Sequence, residues 1–385
     1  MKPKRINKEL TMKRRILIIS GRYLPGFKDG GPVRSILNLT KWFGEDYDIR
    51  IMCLDRDHGD DKAYEGIKVN DWNEVGKARV WYTPSFNATD IAKLTDAVDV
   101  VYCCGPYNDY AIAAMRLKKN GRMKAPLYVA SMGSFSPEAF NIKGWKKKLY
   151  VKAMRSFGLF KNITWSVTSA REEDELKSII GSDAECVIAS DLARGELTKH
   201  TAVKEKGKIN LIFLSRISRK KNLSAVAGIL QLLGSDINVN LDIYGVLEDE
   251  AYLKECTEEF KKLPANIVWE YKGEIDSGRV PEVFAEYDAF IFPTLGENYG
   301  HVIAESLSAG CIPIISDTTP WLDLDENGAG YVCKLNDNEA FRAAIMEIAD
   351  MDRSEFEAKC NKCHDYIDRK NKNEIANSGY KKIFG

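Results

Sequence analysis

Short apolar runs separated by stretches of helical periodicity recur along this chain, and they come in two series. The first comprises Arg15–Ser20, Asp48–Leu54, Val98–Cys104, Leu127–Ser131, Ile163–Thr168 and Glu185–Ala189. After the polar stretch Gly195–Lys208 the second runs through Ile209–Ser215, Val239–Tyr244, Ile267–Tyr271, Ala289–Pro293, Ile312–Ser316 and Tyr331–Lys334. Runs that are apolar on both faces and alternate with helices read as strands of buried parallel sheets. Two series predict an α/β chain of two doubly wound, Rossmann-like domains, and 385 residues are too many for one core. The expected division is a loose leader at 1–11, a first domain at 12–195, a linker at 196–208 and a second domain at 209–365. A last segment, 366–385, is expected to carry a helix that packs back on the first domain. Ligands of open parallel sheets bind beyond the carboxyl ends of the strands, so two such domains face to face would line a central cleft with those loops.

Composition narrows the class. An apolar fraction of 44% and a charged fraction of 29% exclude disorder. No apolar run approaches the roughly 18 residues of a membrane span. Fifty-six basic against 56 acidic side chains leave no net charge, which argues against a nucleic-acid partner. The balance hides an asymmetry: residues 1–200 hold 34 basic and 25 acidic side chains, and residues 101–161 alone hold 12 and 2. Nine cysteines without regular spacing, several inside apolar runs, imply a reducing compartment. The basic leader lacks the apolar core of a signal peptide, so a cytoplasmic location is expected. Cys360-Asn-Lys-Cys363-His364 matches a haem-attachment pattern, but its charged flanks read as a helix and chance explains it better.

Three post-strand loops carry chemistry. The first, Gly21 to Pro32, holds Gly30 and Gly31 before a helix that Pro32 suits at its first position. The open amides of such a helix start can hold an anion, and an ordinary glycine-rich turn is the plainer alternative. It lacks the G-x-G-x-x-G of a dinucleotide site. The second loop places Arg216, Arg219, Lys220 and Lys221 directly after a strand. Arginine offers a planar fork for phosphate oxygens and lysine a compact charge, whereas a solvated basic face is the other reading. The third runs from Pro293 through Gly296-Glu297-Asn298-Tyr299-Gly300 into a helix that contains Glu305. Loop amides at a helix start suit a diphosphate, and carboxylates accept hydrogen bonds from vicinal sugar hydroxyls.

Glu297-x7-Glu305, preceded by Arg216-x4-Lys221 and by the Gly30-Gly31 loop, resembles the retaining nucleotide-sugar glycosyltransferases of family 4, the "group 1" class with the GT-B fold. The resemblance spans most of 13–365 and is strongest over 209–335. It implies that Arg216 and Lys221 bind the donor diphosphate, that Glu305 holds the ribose, and that Glu297 with the amides of Asn298, Tyr299 and Gly300 holds the transferred sugar. Arg216, Lys221 and Glu297 are then the catalytic set. Gly31 lets the first loop approach the phosphates, and Gly245 with the Tyr271–Gly273 strand end walls the base pocket. It implies no metal and no cofactor, with a nucleoside-diphosphate sugar as substrate, the uridine form (UDP) being commonest in the family. The family often carries a histidine after the fourth strand, where this chain reads Ser131-Met-Gly133-Ser134; Gly133 and Ser134, with Gly30, are the expected substitutes in positioning sugar and acceptor. Asn298 stands where many members have glycine.

Residues Gly144–Lys161 carry six cations and no acid, with Trp145, Tyr150 and Met154 interleaved. Trp145, Lys146, Lys147, Lys148, Lys152 and Arg155 are expected to contact an anionic membrane surface, the alternative being a solvated basic helix. A glycan or polyprenyl-diphosphate-linked acceptor at the inner face of the plasma membrane, in bacterial surface polysaccharide synthesis, accounts for such a feature. The competing readings are a sugar-nucleotide epimerase or another GT-B enzyme, and a non-catalytic glycan-binding protein, which would be expected to lose one of Arg216, Lys221, Glu297 and Glu305.

Overall fold

A computed structural model describes residues 13–136, 144–276 and 278–385; the expected leader at 1–11 lies outside the described residues. The chain divides into two units, Met1–Ser190 with Ser378–Gly385, and Asp191–Asn377.

In the first unit the elements run β1 (Arg15–Ile19), α1 (Gly31–Phe43), β2 (Asp48–Leu54), β3 (Trp72–Val75), β4 (Ala78–Thr83), α2 (Ala88–Thr95), β5 (Val100–Cys104) and α3 (Asp109–Lys119). They continue with β6 (Leu127–Ala130), α4 (Gly144–Ser156), β7 (Ile163–Val167), α5 (Ala170–Ile180) and β8 (Cys186–Ile188). The sheet order is β3-β4-β2-β1-β5-β6-β7-β8, parallel except for the β3–β4 edge pair. That hairpin escapes the search for buried parallel runs because β3 is only partly covered. Its two-residue turn, Gly76-Lys77 with Gly76 at φ 59°, is nonetheless a hairpin signal. Every residue of β5 is buried, as its run of Val, Tyr and Cys requires. Strand order reverses between β1 and β5, so the loops after those strands flank a switch point.

The second unit holds β9 (Lys208–Leu214), α6 (Leu223–Leu230), β10 (Asn238–Tyr244), α7 (Glu250–Phe260), β11 (Ile267–Gly273), α8 (Val280–Phe284) and β12 (Ala289–Phe292). Then come α9 (His301–Ser308), β13 (Ile312–Ser316), β14 (Tyr331–Cys333), α10 (Asn338–Asp350) and α11 (Arg353–Ala376). Its order, β11-β10-β9-β12-β13-β14, is wholly parallel and reverses between β9 and β12. The segment 196–208, expected as a linker, runs along this unit. The Thr198 amide donates to the Ser308 carbonyl at 2.8 Å, and the buried Lys204 ammonium donates to the carbonyls of Glu205, Lys208 and Ala349. Cys360 and Cys363 of the haem-like pattern are buried in α11 as core side chains.

Beyond α11 the chain rejoins the first unit through α12 (Tyr380–Phe384). Phe384 packs edge-on against Phe43 at 5.9 Å and Tyr47 at 5.3 Å, while Tyr380 meets Tyr102 at 6.0 Å. A β-carbon at Gly379 would lie 1.9 Å from the Ile188 carbonyl oxygen, so only glycine fits this return.

Candidate functional site

The strand reversal in the second unit brings the loops after β9 and β12 side by side, and backbone bonds then lock them together. Residues Arg219–Lys221 form one 3₁₀ turn, ended by Asn222 in the left-handed region at φ 58°. The Asn222 side-chain amide donates to the Pro293 carbonyl at 2.8 Å. The Lys220 carbonyl accepts from the Leu295 amide at 2.9 Å and the Thr294 hydroxyl at 3.2 Å. Below them Ser316 and Thr318 both donate to the Thr294 carbonyl. The result is direct contact between two expected site residues, Lys221 and Glu297, as a hydrogen-bonded ion pair with side chains only 11% and 12% exposed. The Thr294 hydroxyl, its one proton shared with the Lys220 carbonyl, also lies 3.2 Å from Glu297. Burial pulls the Lys221 pKa below its ordinary value, and the Glu297 carboxylate opposes that shift.

Arg216 lies in the same loop, two residues beyond the end of β9, close enough for its charge to act on Lys221. Its side chain is half exposed and pairs with Glu248 at 3.1 Å, a partner that motif reading did not anticipate. Gly245 has the most stringent backbone of the site: at φ 154°, a β-carbon there would lie 1.6 Å from the Ser215 carbonyl oxygen. The Gly245 carbonyl accepts from the Tyr271 hydroxyl at 2.8 Å and its amide donates to Gly273 at 2.9 Å, joining the ends of β10 and β11.

Gly300, left-handed at φ 83°, caps α9 without a side chain, and a β-carbon there would meet Ile303 at 2.9 Å. Tyr299 is buried, its ring 5.4 Å from Trp321, and the Trp321 indole N–H donates to the Tyr299 carbonyl. Asn298 sits beside it in the same loop, and Glu305 is buried one turn into α9. The aromatic brace from Trp321 was invisible to motif reading, because 22 residues separate the two rings in sequence. Among the described residues, no group of three or more His, Cys, Asp or Glu is arranged to hold a metal ion.

In the first unit a β-carbon at Gly30 or Gly31 would meet nothing within 4 Å, so the start of α1 faces open space. At Gly133 and Ser134 the backbone amides are already engaged. The Gly133 amide donates to the buried Glu172 carboxylate at 2.6 Å and the Ser134 amide to the Ser131 carbonyl at 3.0 Å, so neither amide is left for a ligand. The same carboxylate takes bonds from Ser131 and Thr168, fastening this loop to the start of α5. His58, which no motif of the sequence singles out, lies 3.0 Å from Asp29 of the glycine loop. On α4, Trp145 and Leu149 are exposed one turn apart at 69% and 60%, with Lys146, Lys148, Lys152 and Arg155 around them. Lys147 departs from that face: it is partly covered and sits 5.4 Å over the Tyr107 ring, beside inward-turned Tyr150 and Val151.

Comparison with known proteins follows the same division. Residues 196–370 match the family described as glycosyl transferases group 1. No curated protein matches the chain in sequence. The E. coli trehalose-6-phosphate structure bound with UDP-2-fluoro glucose is similar over 96% of this chain and 99% of its own, with 12% identity and a TM-score of 0.64. Anabaena Alr3699/HepE in complex with UDP and glucose is similar over 94% and 99%, with 13% identity and a TM-score of 0.64. WaaG, a glycosyltransferase involved in lipopolysaccharide biosynthesis, is similar over 96% and 98%, with 11% identity and a TM-score of 0.63. At these identities the likeness concerns the fold, which is the two-sheet α/β architecture of GT-B glycosyltransferases.

Proposed function

Because residues 196–370 carry the group 1 glycosyl transferase domain, we propose that the protein transfers a hexose or N-acetylhexosamine from a nucleoside-diphosphate sugar, UDP-linked in the first instance, to a glycan or lipid-linked acceptor. The observation that carries this reading is the buried Lys221–Glu297 pair beside Arg216 at the strand reversal. A diphosphate entering there meets two cations, of which Lys221 is poorly solvated. Lys221 and Arg216 offset the charge that accumulates on the leaving nucleotide, a role that requires no metal ion. Glu297, relieved of part of its bond to Lys221, turns its other oxygen to sugar hydroxyls, while Glu305 accepts from the ribose. Tyr271 and Gly245 bound the base. Gly30, Gly31 and the Ser134 hydroxyl are the proposed sugar- and acceptor-side contacts of the first unit.

Transfer proceeds with retention, by attack on the same face that the diphosphate leaves. The bond to the leaving phosphate oxygen breaks, the bond to the acceptor oxygen forms, and the leaving phosphate takes the acceptor's proton. Positioning and charge neutralisation supply the catalysis. Among the described residues no helix is long and apolar enough to cross a membrane. The exposed Trp145–Leu149 face with its lysines supports peripheral contact with an anionic leaflet, where a polyprenyl-diphosphate acceptor of surface polysaccharide synthesis would be reached.

A thermal-shift panel of nucleoside diphosphates and their sugars tests the reading, because a ligand at one hundred times its Kd adds about 2.7 kcal/mol of stability. Absence of a shift with every member refutes it. Arg216→Ala is expected to cost about 2–3 kcal/mol in transfer, low in the range for a charge that meets a buried partner because the guanidinium is half exposed before donor binds. Turnover by that variant near the parent rate removes Arg216 from the site.

A further inference from the structure

Behind the glutamate loop the structure closes a ring of four side chains that nothing in the motif reading anticipates. The Tyr299 hydroxyl donates to Glu374 Oε2 at 3.3 Å. Glu374 Oε1 is paired with Lys370 Nζ at 3.3 Å, one turn earlier on α11. The Lys370 ammonium stands 4.9 Å over the face of the Trp321 ring. Trp321 completes the circuit by donating its indole N–H to the Tyr299 carbonyl. One residue, Tyr299, is therefore gripped at both its backbone and its side chain, and it sits between Glu297 and the left-handed cap Gly300.

We infer that Glu374 and Lys370 are positioning residues, which set the sugar-facing loop Glu297–Gly300 from α11 without touching the substrate. The inference rests on the reading of that loop given above. Three features support it. The loop is tied at its near end by Glu297 N to the Thr318 carbonyl at 3.3 Å, and at its far end the Tyr299 carbonyl and hydroxyl are both held by side chains. An ion pair over an aromatic face is directional, and with only 17% of the Glu374 side chain exposed it is weakly screened. A loop displaced by about 1 Å loses the near-attack geometry of a transfer, with about a hundred-fold loss of rate. A cavity of about 240 Å³, lined by Asp323, Tyr366, Arg369, Lys370, Asn373 and Glu374, adjoins the ring. Burial raises the Glu374 pKa above the ordinary carboxylate value, and Lys370 and the Tyr299 hydroxyl oppose that rise.

The test compares UDP with the UDP-sugar that most stabilises the parent protein, by titration calorimetry on the full chain. Glu374→Gln keeps an acceptor for Tyr299 but loses the pair with Lys370; Tyr299→Phe loses the hydroxyl alone. Each is expected to weaken UDP-sugar binding about ten-fold while leaving UDP within two-fold, since UDP lacks the sugar that the loop holds. The double variant is expected to be no worse than the poorer single, because both break one circuit. Equal loss for UDP and UDP-sugar marks a merely structural role and overturns the inference, as does unchanged binding of both or strict additivity. Should Glu374→Gln fail to fold, Tyr299→Phe and Lys370→Met carry the same comparison. A parent protein that binds neither ligand overturns the donor reading itself, and that outcome is seen before any variant is made.

Discussion

Replacing Lys221 by methionine separates the two jobs assigned to it. In the folded protein its ammonium neutralises Glu297, and both side chains are about nine-tenths covered. Removing one member of a buried pair costs about 3–5 kcal/mol, because the other charge stays desolvated. Glu297 keeps its share of the Thr294 hydroxyl proton, which places the expected loss near the lower end, at about 3 kcal/mol. The second unit, Asp191–Asn377, spans 187 residues, a size at which 1 kcal/mol moves the midpoint about 2–4 °C, so its melting should fall by about 6–12 °C. Adding Glu297→Gln removes the stranded charge and should restore most of that loss, yet the double variant should still gain nothing from UDP. Differential scanning calorimetry with and without UDP reads both effects. A single variant melting within 2 °C of the parent, or a double variant no more stable than the single, refutes the buried-pair account; UDP stabilisation of either variant equal to the parent's refutes the phosphate role.

Gly245→Ala should cost more than 2 kcal/mol because its β-carbon overlaps the Ser215 carbonyl, whereas Gly273→Ala, with nothing within 4 Å, should cost about 1 kcal/mol in backbone strain alone. Equal losses in urea unfolding would contradict the steric argument. His200 and His364 both converge on Gly310, and burial holds both pKa values below the ordinary 6.5. The unfolded chain therefore takes up protons first, so the stability they contribute is present above pH 6.5 and is lost as pH falls from there toward the folded values, by at most about 1.4 kcal/mol per pH unit per group. Urea midpoints at pH 7.5 and 5.5 should differ less in His200→Gln/His364→Gln than in the parent; an unchanged difference sinks that assignment. Trp145→Ala with Leu149→Ala should abolish cosedimentation with anionic vesicles at low salt while Lys147→Ala spares it, and retention by the double variant rules out this face of α4.

Buried parallel strands announce themselves, because a run such as Val100–Cys104 has no polar side to hide and its ends are set by turns. The edge hairpin does not, since β3 is partly exposed and its turn residues, Gly76-Lys77, suit a surface loop as well. At the candidate site, residue types and spacing mark out Arg216, Lys221, Glu297 and Glu305. They do not reveal that Lys221 and Glu297 would neutralise one another, because that contact depends on strands β9 and β12 being neighbours while two others intervene in sequence. That the Gly133 amide is taken by Glu172, 39 residues on, cannot be read from the loop that carries it. Trp321 and Glu374 were hidden because they reach Tyr299 across tertiary contacts, and Lys370 because it joins those two.

The eight residues from Ser378 to Gly385 belong to the unit that the chain begins, though they are made after the whole of the unit it finishes. During translation the pocket between Phe43, Tyr47 and Tyr102 must wait, unfilled, while some 187 intervening residues leave the ribosome. Replacing Tyr380 and Phe384 by alanine would accordingly injure the first unit, from which they are separated in sequence by the whole of the second.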